Sequence, residues 1–376
     1  MKHRVYLDSA GTTSLDPDVL KTYTSLLESH FANSESLYDE GSEVHRMMEK
    51  ARSAAAGLLG VSADEIIFTS GSCEANSMAI KGVCLADMSR KHIITTPIEH
   101  SSVLNACRQM ERLFGYEITW LPVYEDGSVR AEDVRAALRP DTVLVSVMYV
   151  NNETGAINPI EEIRSIVRRE SHAYFHCDMT QAAGKIPLSL KDIDLASISA
   201  HKIHGLKGSG ILVKKRYVPM EPLISGGEQE FGLRGGTANA AADMVFAKTL
   251  RLALERQEAF ARHTQQLHNR LVAGLKTIEG IELNSPENGL PAVVNFSYEK
   301  IPSEVMQNEL NRRGFMISAR STCEAHSDNP SYVLLAMGYS PRRASCSIRV
   351  SLSMENTEEE IDAFVQAVKE MTEQYG

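Results

Sequence analysis

Short apolar runs alternate with amphipathic stretches between residues 64 and 215. The intervening stretches, such as SSVLNACRQMERLF and PIEEIRSIVRRE, place their apolar residues at helical spacing. Alternating strands and helices form crossover units, so this region is predicted to be α/β with a mostly parallel, buried sheet. The runs that predict its strands are EIIFTS (65–70), HIITTP (92–97), EITWLPV (117–123), TVLVSVMYV (142–150), AYFHCD (173–178), LASISA (195–200) and GILVKK (210–215).

The pattern changes after a long helical stretch at residues 238–275, which is rich in Ala and Leu and is predicted to link two domains. Beyond it, VVNFSY, FMIS and SIRVSLS predict strands, and SEVMQNELNRRG predicts a helix between the first two. Thr357 and Glu360 fit a capping box at the start of a final helix. A smaller α+β domain is therefore predicted to follow the large one. The apolar face of the final helix is formed by Ile361, Phe364, Val365, Val368 and Met371.

Composition supports this division and excludes several classes of protein. A chain of 376 residues is too long for one small core, and 43% hydrophobic with 23% charged residues is typical of a soluble globular protein. No run approaches the roughly 18 apolar residues that span a bilayer. The first residues lack an apolar leader, so we expect a cytoplasmic protein. A net charge of −10 argues against direct nucleic-acid binding, which requires clustered cations.

The cysteines are scattered and contain no CxxC pair, which favours neither a disulfide scaffold nor a zinc site. We therefore expect no metal. Most of the six should be small core residues, and one is a candidate nucleophile. They are Cys73, Cys84, Cys107, Cys177, Cys323 and Cys346.

The segment SISAHKIHGLKGSG (197–210) contains the strongest candidate for covalent chemistry. Lys202 follows a predicted strand, with Ser199 and His201 beside it and glycines after it. A lysine in this setting suits an amine that joins the aldehyde of a cofactor, because burial and nearby cations make it lose its proton readily. A surface lysine in a basic loop is the alternative when the motif is taken alone.

The segment FHCDMTQ (175–181) supplies a carboxylate at the end of another strand. Pyridoxal phosphate requires such a group against its pyridine nitrogen, and Asp178 is placed for that role. Gln181 is a candidate donor to the ring hydroxyl. The alternative for Asp178 is that it caps the following helix.

Three further segments favour a phosphate-bearing, flat ligand. TSGSCEAN (69–76) leads from a strand through a Ser/Gly turn into a helix, where backbone N–H groups bind phosphate, although a tight turn with an N-cap serine is equally consistent. RGGT (234–237) is a second candidate for phosphate contact. In IEHSSV (98–103), His100 follows a strand and is suited to stacking on a ring or moving protons. Strand ends at one edge of an α/β sheet commonly bind ligands.

These motifs together resemble the cysteine desulfurases of the NifS/IscS-like group, which are pyridoxal-phosphate enzymes of fold type I. The resemblance implies a large domain with a mostly parallel seven-stranded sheet at residues 15–250. It also implies a small α+β domain formed by residues 1–14 and 251–376, which would carry the cysteine loop. The similarity extends over YLDSAGTT, IIFTSGSCEANSMAIKG, HIITTPIEHSSVL, VLVSVMYVNNETG, HCDMTQAAGK, SAHKIHGLKGSG, GGEQEFGLRGGTAN, NPSYVLLAMG and SIRVSLS.

The resemblance also assigns roles to individual residues. Lys202 would join the cofactor, Asp178 would pair with its ring nitrogen, and His100 would stack on the ring. Arg349 would bind the substrate carboxylate through its planar guanidinium, with help from Asn33. The remaining cofactor contacts implied are Asn152 and Gln181 at the ring hydroxyl, Ser72, Cys73, Ser199 and His201 at the phosphate, and Thr237 from the partner subunit of a homodimer.

The resemblance further implies that Cys323, in SARSTCEAHSDNPSYVL, accepts sulfur from L-cysteine as a persulfide. Alanine would be the other product, and the sulfur would pass to an acceptor or scaffold protein, for example in iron–sulfur cluster assembly. A thiol with an ordinary pKa of about 8.5 needs activation by nearby cationic or donor groups. The candidates for this activation are His100, Arg320 and His326.

The chain departs from the family pattern at several positions. Arg320 replaces a glycine in the cysteine loop, where Glu324 and His326 add charge. These changes leave open a selenocysteine lyase or another pyridoxal-phosphate β-lyase, and a low-activity cofactor-binding scaffold protein. The other departures are Cys73 for a phosphate-contacting threonine, Met179 for a small residue after the ring carboxylate, and Tyr38 and Ser34 for a histidine and a proline near the N-terminus.

Overall fold

The structure, a computed structural model, describes residues 4–319 and 329–375, and within them twelve strands and twelve α-helices are defined. The strands are β1 (Val5–Tyr6), β2 (Ile66–Thr69), β3 (His92–Thr95), β4 (Glu117–Trp120), β5 (Thr142–Ser146), β6 (Tyr174–Asp178), β7 (Leu195–Ser199), β8 (Gly210–Lys214), β9 (Ile281–Leu283), β10 (Val293–Tyr298), β11 (Phe315–Met316) and β12 (Ser347–Ser351). The helices are α1 (Pro17–Ser29), α2 (Asp39–Leu59), α3 (Ser72–Ser77), α4 (Val83–Ala86), α5 (Ser101–Phe114), α6 (Ala131–Ala137), α7 (Ile160–Glu170), α8 (Ala240–Leu275), α9 (Ser303–Arg312), α10 (Tyr332–Ala336), α11 (Pro341–Ser345) and α12 (Glu358–Tyr375).

One seven-stranded sheet forms the framework of the large part of the molecule, with the order β2-β8-β7-β6-β5-β3-β4. Strands β3 to β7 run parallel, and β8 is antiparallel to both of its neighbours. This confirms the predicted mostly parallel α/β sheet. Each observed strand is shorter than its apolar run. In most of them the last residues of the run lie beyond the strand, whereas β6 lacks only the first residue of its run, Ala173.

The strands of this sheet are apolar on both faces because helices cover both sides. Strand β5 contributes to two hydrophobic clusters: Val145 packs in one, and Val143 and Leu144 pack in another. The predicted helix after β2 is formed by α3 and α4, which are joined by a π-helical segment, Met78–Gly82. Such π-helical insertions are frequent near functional sites.

The smaller part of the molecule is α+β, as predicted. Strand β10 lies between β9 and β12 in an antiparallel sheet, and β1 pairs in parallel with β11. The predicted apolar face of α12 is buried in the core of this part, and Val365 packs against it. The predicted capping box is confirmed, since Thr357 N–H donates to Glu360 Oε2 and Glu360 N–H donates to Thr357 Oγ1, both at 3.2 Å.

Helix α8 joins the two hydrophobic cores over its 36 residues, about 54 Å at 1.5 Å per residue. Leu250 packs in the core of the large sheet, whereas Leu267 and Leu271 pack in the core of the smaller part. The predicted domain boundary after residue 250 falls between these two groups and stays a prediction. Within the described residues, none of the helices combines the length and the apolar character needed to cross a membrane.

Candidate active site

The carboxyl ends of the parallel strands open into one cavity of about 450 Å³. Strands β3, β5, β6 and β7 are consecutive neighbours in the sheet, so the segments that follow them meet at one edge. Arg349 enters the same cavity from β12 of the smaller part. The predicted site residues that line it are Ser72, Cys73, His100, Asn152, Asp178, Gln181, Ser199, His201, Lys202 and Arg349.

Lys202 lies at the end of a 3-10 turn, Ala200–Lys202, directly after β7. Its Nζ donates to the backbone carbonyls of Ala10 at 2.6 Å and Gly11 at 2.7 Å. Both carbonyls belong to the N-terminal segment SAGTT, which also lines the cavity. These two uncharged carbonyl groups hold the amine at the wall of the cavity.

Asp178 is the last residue of β6 and is almost fully buried. Its Oδ2 accepts a hydrogen bond from Asn76 Nδ2 at 2.7 Å, and its Oδ1 accepts one from Thr180 N–H at 2.9 Å. Two donors to separate oxygens fix the plane of the carboxylate. The alternative of a helix cap does not apply, because Thr180 lies in a turn and not in a helix.

His100 caps α5, and this contact determines where its proton lies. The backbone N–H of Ser102 donates to His100 Nδ1 at 3.2 Å, and Ser102 Oγ lies 2.8 Å from the same nitrogen. Because Nδ1 accepts from a backbone N–H, the proton of the neutral ring is on Nε2. Asn76 Nδ2 also donates to Ser102 Oγ at 2.9 Å, so the histidine and Asp178 share one network.

Two of the residues predicted to bind phosphate, Ser72 and Cys73, are the first residues of α3. Gly71 precedes this helix with a φ of 137°, a conformation that favours glycine. Gly210 of β8 passes so close that an added Cβ would lie 2.7 Å from the Cα of Gly71. His201 is another predicted phosphate contact. Burial, followed by the charge of Lys202, lowers its pKa to about 4. His201 is therefore neutral at pH 7 and offers a hydrogen bond and not a charge.

Arg349 is buried, with 1% of its surface exposed, and its guanidinium is only partly paired. Nη1 donates to the backbone carbonyl of Asn152 at 2.9 Å, and Nη2 donates to Asp8 Oδ1 at 2.7 Å. Within the part of the chain that the structure describes, its Nε has no hydrogen-bond partner. A buried donor in this state can donate a hydrogen bond to a ligand carboxylate without breaking an existing bond.

Pyridoxal phosphate fits what this cavity offers. Asn152 Oδ1 and Thr180 Oγ1, like Arg349 Nε, are buried and have no hydrogen-bond partner among residues 4–319 and 329–375. Native structures leave few buried polar atoms unpaired, so a polar ligand at this position is expected. Asp178 supplies the carboxylate that a pyridine nitrogen requires, and Lys202 supplies the amine for an aldehyde.

Some predicted residues do not reach this cavity. Asn33 is exposed between α1 and α2, where its Oδ1 accepts a hydrogen bond from Glu35 N–H at 3.0 Å. Thr237 is also exposed and away from the cavity of its own chain. The roles of both residues stay predictions. Met179 is fully buried in the core of the large sheet and does not repack the cavity wall.

The predicted sulfur-accepting residue, Cys323, lies outside the described residues. The same holds for the charged residues near it in the sequence, Arg320, Glu324 and His326. The segments on either side of them are described. Ser318 forms a β-bridge with Arg349, and Ser331 Oγ donates to Glu153 Oε2 at 2.6 Å.

Among the residues not predicted from the sequence are three whose side chains form hydrogen bonds with predicted site residues: Asn76, Asp8 and Lys185. Asn76 lies four positions after Ser72, which puts both on one face of a helix, and this spacing was the available signal. Asp8 stands inside the motif YLDSAGTT, and Lys185 stands inside HCDMTQAAGK. For these two, no local pattern indicated a partner in the site.

Comparisons with known proteins show the family of this chain. The model of the family described as Aminotransferase class-V matches residues 5–364. Cysteine desulfurase IscS of Dictyoglomus turgidum is 39% identical over 378 residues, which cover 99% of this chain and 95% of that protein. The mitochondrial cysteine desulfurase of Arthroderma benhamiae is 41% identical over 375 residues, which cover 97% of this chain and 74% of that protein.

A solved structure described as a NifS-like protein superposes with a TM-score of 0.93 at 37% identity, and the match covers 99% of this chain and 100% of that chain. Similarity of this extent includes both the large sheet and the smaller part. The chain therefore belongs to the class-V aminotransferase family and, within it, to the pyridoxal-phosphate-dependent cysteine desulfurases of the NifS and IscS type.

Proposed function

We propose that this protein removes the sulfur of L-cysteine, releases L-alanine and carries the sulfur as a persulfide on Cys323 to an acceptor protein. The observation that carries this proposal is that Lys202, Asp178 and Arg349 line one cavity. An amine, a carboxylate and a guanidinium are the groups needed to hold an aldehyde cofactor, to protonate its ring and to bind an amino-acid carboxylate.

When bound, pyridoxal phosphate would supply an electron sink for the bonds around the substrate α-carbon. Asp178, whose carboxylate plane is fixed by Asn76, would keep the ring nitrogen protonated. Lys202 would hold the cofactor through Nζ and would then move protons to and from the substrate carbon atoms. His100, with its proton on Nε2, would cover the ring and donate that proton within the site.

Arg349 would bind the α-carboxylate of the substrate. Its Nη1 and Nη2 are already fixed by Asn152 and Asp8, so the guanidinium plane is set before the substrate arrives. Its buried Nε, which lacks a partner within the described residues, would form the additional bond. Such preorganisation lowers the entropic cost of binding and orients the bond that is to be broken.

In the sulfur-transfer step, the thiolate of Cys323 would attack the Sγ of the substrate. The new S–S bond forms as the Cβ–Sγ bond breaks, and the carbon fragment takes the electron pair and a proton to become alanine. One thiol and one cysteine thus give one persulfide and one alanine, and no external oxidant or reductant is needed. Arg320, Glu324 and His326 lie near Cys323 in the sequence and would tune the thiol pKa through their charges.

We also propose a homodimer in which Thr237 contacts the cofactor phosphate of the partner subunit. Thr237 is exposed in its own chain, and its segment is tied to the phosphate side by Arg234, whose Nε donates to Glu74 Oε1 at 3.0 Å. Glu74 belongs to α3, the helix that begins at the predicted phosphate site. Because Thr237 is exposed and does not line the cavity of its own chain, it is accessible to a partner subunit.

The proposed setting is the cytoplasm, and the proposed acceptor is a scaffold protein such as those that assemble iron–sulfur clusters. Within residues 4–319 and 329–375, Cys73, Cys84, Cys107, Cys177 and Cys346 form no disulfide, which is usual for a protein of a reducing compartment. A persulfide on a protein thiol is a transferable form of sulfur, because another thiolate can attack its outer sulfur atom.

The direct test is incubation of the cofactor-loaded protein with L-cysteine, followed by mass analysis of the peptide that contains Cys323 and by an alanine assay. One added sulfur atom on that peptide, together with alanine, would support the proposal. Wild-type protein that binds the cofactor and yields neither product would refute it and would favour a scaffold role.

Two variants assign the roles. Lys202→Ala should abolish the visible absorption of the bound cofactor. It should also leave no bond between a lysine and the cofactor that borohydride can reduce. Cys323→Ser should retain that absorption and lose the transfer of sulfur from cysteine. Undiminished lyase activity of Cys323→Ser, on cysteine or selenocysteine, would instead identify a β-lyase that does not use this thiol.

A further inference from the structure

Lys185 is a buried lysine behind the cofactor cavity, and the proposed mechanism leaves it without a role. Only 9% of its surface is exposed. Burial, followed by the positive charges of Lys202 and Arg349, lowers its pKa to about 7. Burying an amine next to two cations is unfavourable, so this arrangement is expected to serve the site and not the stability of the fold.

A tight turn after β6 directs Lys185 back towards Gln181. Gly184 adopts the left-handed conformation, with φ of 69°, and a Cβ at this position would lie 2.8 Å from the Cβ of Ala253 in α8. The backbone N–H of Lys185 donates to the carbonyl of Ala182 at 3.0 Å, which closes the turn. As a result, Nζ of Lys185 reaches Oε1 of Gln181 at 2.7 Å.

The second contact of Gln181 determines which end of its amide faces which neighbour. Nε2 of Gln181 donates to the backbone carbonyl of Ala10 at 3.0 Å. That carbonyl can only accept, and the amine of Lys185 can donate in both of its protonation states. The two neighbours therefore permit one orientation of the amide, with Oε1 towards Lys185 and Nε2 towards Ala10.

This orientation matters because Gln181 and Ala10 both line the cofactor cavity. One hydrogen of Nε2 bonds to Ala10, and the other remains available to an oxygen atom of a ligand. The same carbonyl of Ala10 also accepts from Lys202 Nζ at 2.6 Å, so the donor of Gln181 is adjacent to the amine that would hold the cofactor. A flipped amide would present Oε1 to the ligand oxygen and would repel it.

We propose that Lys185 is a positioning residue that locks the amide of Gln181 with its Nε2 as the donor to the ring oxygen of the cofactor. The inference rests on the proposed function only in requiring that the cavity binds pyridoxal phosphate. Lys185 would not contact the cofactor itself and would act on it only through Gln181. Removing either side chain should therefore remove the same hydrogen bond.

The test measures cofactor affinity and the visible absorption maximum of the cofactor-loaded protein in wild type, Lys185→Met, Gln181→Ala and the double variant. Loss of one oriented hydrogen bond should weaken cofactor binding about tenfold in each single variant, with the same spectral shift. The double variant should bind no more weakly than Gln181→Ala alone, because both changes remove one interaction.

Two control variants separate positioning from packing. Lys185→Arg keeps a donor, and the adjacent cavity of about 330 Å³, which Lys185 lines, has room for the larger side chain. It should retain the wild-type spectrum. Lys214→Met removes another lysine that is 9% exposed, in β8, whose Nζ donates to the carbonyl of Lys215, and should leave cofactor binding unchanged.

Additive effects in the double variant, about a hundredfold in total, would overturn the inference, because they would show that Lys185 acts independently of Gln181. A folded Lys185→Met protein with wild-type affinity and spectrum would overturn it as well. If Lys185→Met does not fold, Lys185→Ala replaces it in the same cycle. A wild-type protein that binds no cofactor would contradict the proposed function itself and is distinguishable from both results.

Discussion

Nη2 of Arg349 donates to Oδ1 of Asp8 at 2.7 Å, although the two residues are separated by 341 positions in the chain. The side chain of Arg349 is 1% exposed and that of Asp8 is 19% exposed, so the pair is largely shielded from water. The contact joins the N-terminal segment to the last strand of the smaller part. It neutralises a guanidinium that would otherwise be buried alone.

Replacing Asp8 by Ala should therefore destabilise the fold. Removing one partner of a buried ion pair leaves an uncompensated charge, and we expect a loss of about 3 kcal/mol in the free energy of unfolding. Urea denaturation of the cofactor-free protein measures it. Asp8→Asn is the matched control, because it keeps an acceptor oxygen and should lose less. Equal stability of wild type and Asp8→Ala would show that Arg349 does not depend on this carboxylate.

Glu99 should make the stability of the protein depend on pH. Its carboxyl is fully buried, accepts hydrogen bonds from Met148 N–H at 2.8 Å and Thr96 Oγ1 at 2.9 Å, and burial raises its pKa to about 8. The unfolded chain releases this proton at the ordinary pKa of about 4.3. The folded protein thus binds more protons than the unfolded chain between these values, and stability should fall as pH rises from about 5 to 8.

Glu99→Gln should remove this dependence, because an amide does not titrate. Relative to Glu99→Gln, the free energy of unfolding of wild type should fall by roughly 3 kcal/mol between pH 5 and pH 8, as measured by urea unfolding. Glu28→Gln, on the exposed face of α1, is the control and should follow the wild-type curve. Parallel curves for wild type and Glu99→Gln would contradict a raised pKa.

Cys73→Thr should strengthen cofactor binding. Cys73 lines the cavity at the start of α3, and a thiol is a weaker hydrogen-bond donor than a hydroxyl. One additional hydroxyl bond to the phosphate is expected to tighten the binding of pyridoxal phosphate by roughly threefold to tenfold. Titration of the cofactor-free protein gives the affinity. Cys73→Ala should show no gain, and an equal gain in both variants would exclude the hydroxyl as the cause.

Thr237→Ala should weaken cofactor binding, and Thr237→Ser should retain it, if this hydroxyl reaches the partner's phosphate site. A mixed dimer shows which subunit is served. It combines one Lys202→Ala subunit with one Thr237→Ala subunit. If the site is shared, the site of the Thr237→Ala subunit has its own Lys202 and receives an intact Thr237 from the other chain. That dimer should bind one cofactor with wild-type affinity. Weak binding in the mixed dimer would place Thr237 in the site of its own chain.

The sequence alone determined the large sheet and the segments that form the cavity. The apolar runs predict seven strands, and residues that follow parallel strands meet at one edge by geometry, which explains why Lys202, Asp178 and His100 line one cavity. The capping box at Thr357 was also predictable, because it depends only on residues three positions apart. Strands β1 and β9 were missed, since two or three residues carry no periodic pattern.

Only the tertiary structure decided which distant side chains complete the site. The pairing of Asp8 with Arg349 depends on how the smaller part packs against the N-terminal segment, and no local pattern reports such packing. The contact between Lys185 and Gln181 depends on a turn that fits against Ala253 of α8. Local spacing specifies helices and caps because their hydrogen bonds join near neighbours in the chain. Buried strands are indicated by short apolar runs, although their hydrogen bonds join distant segments. Contacts between side chains that are distant in the chain form only when the whole core has packed.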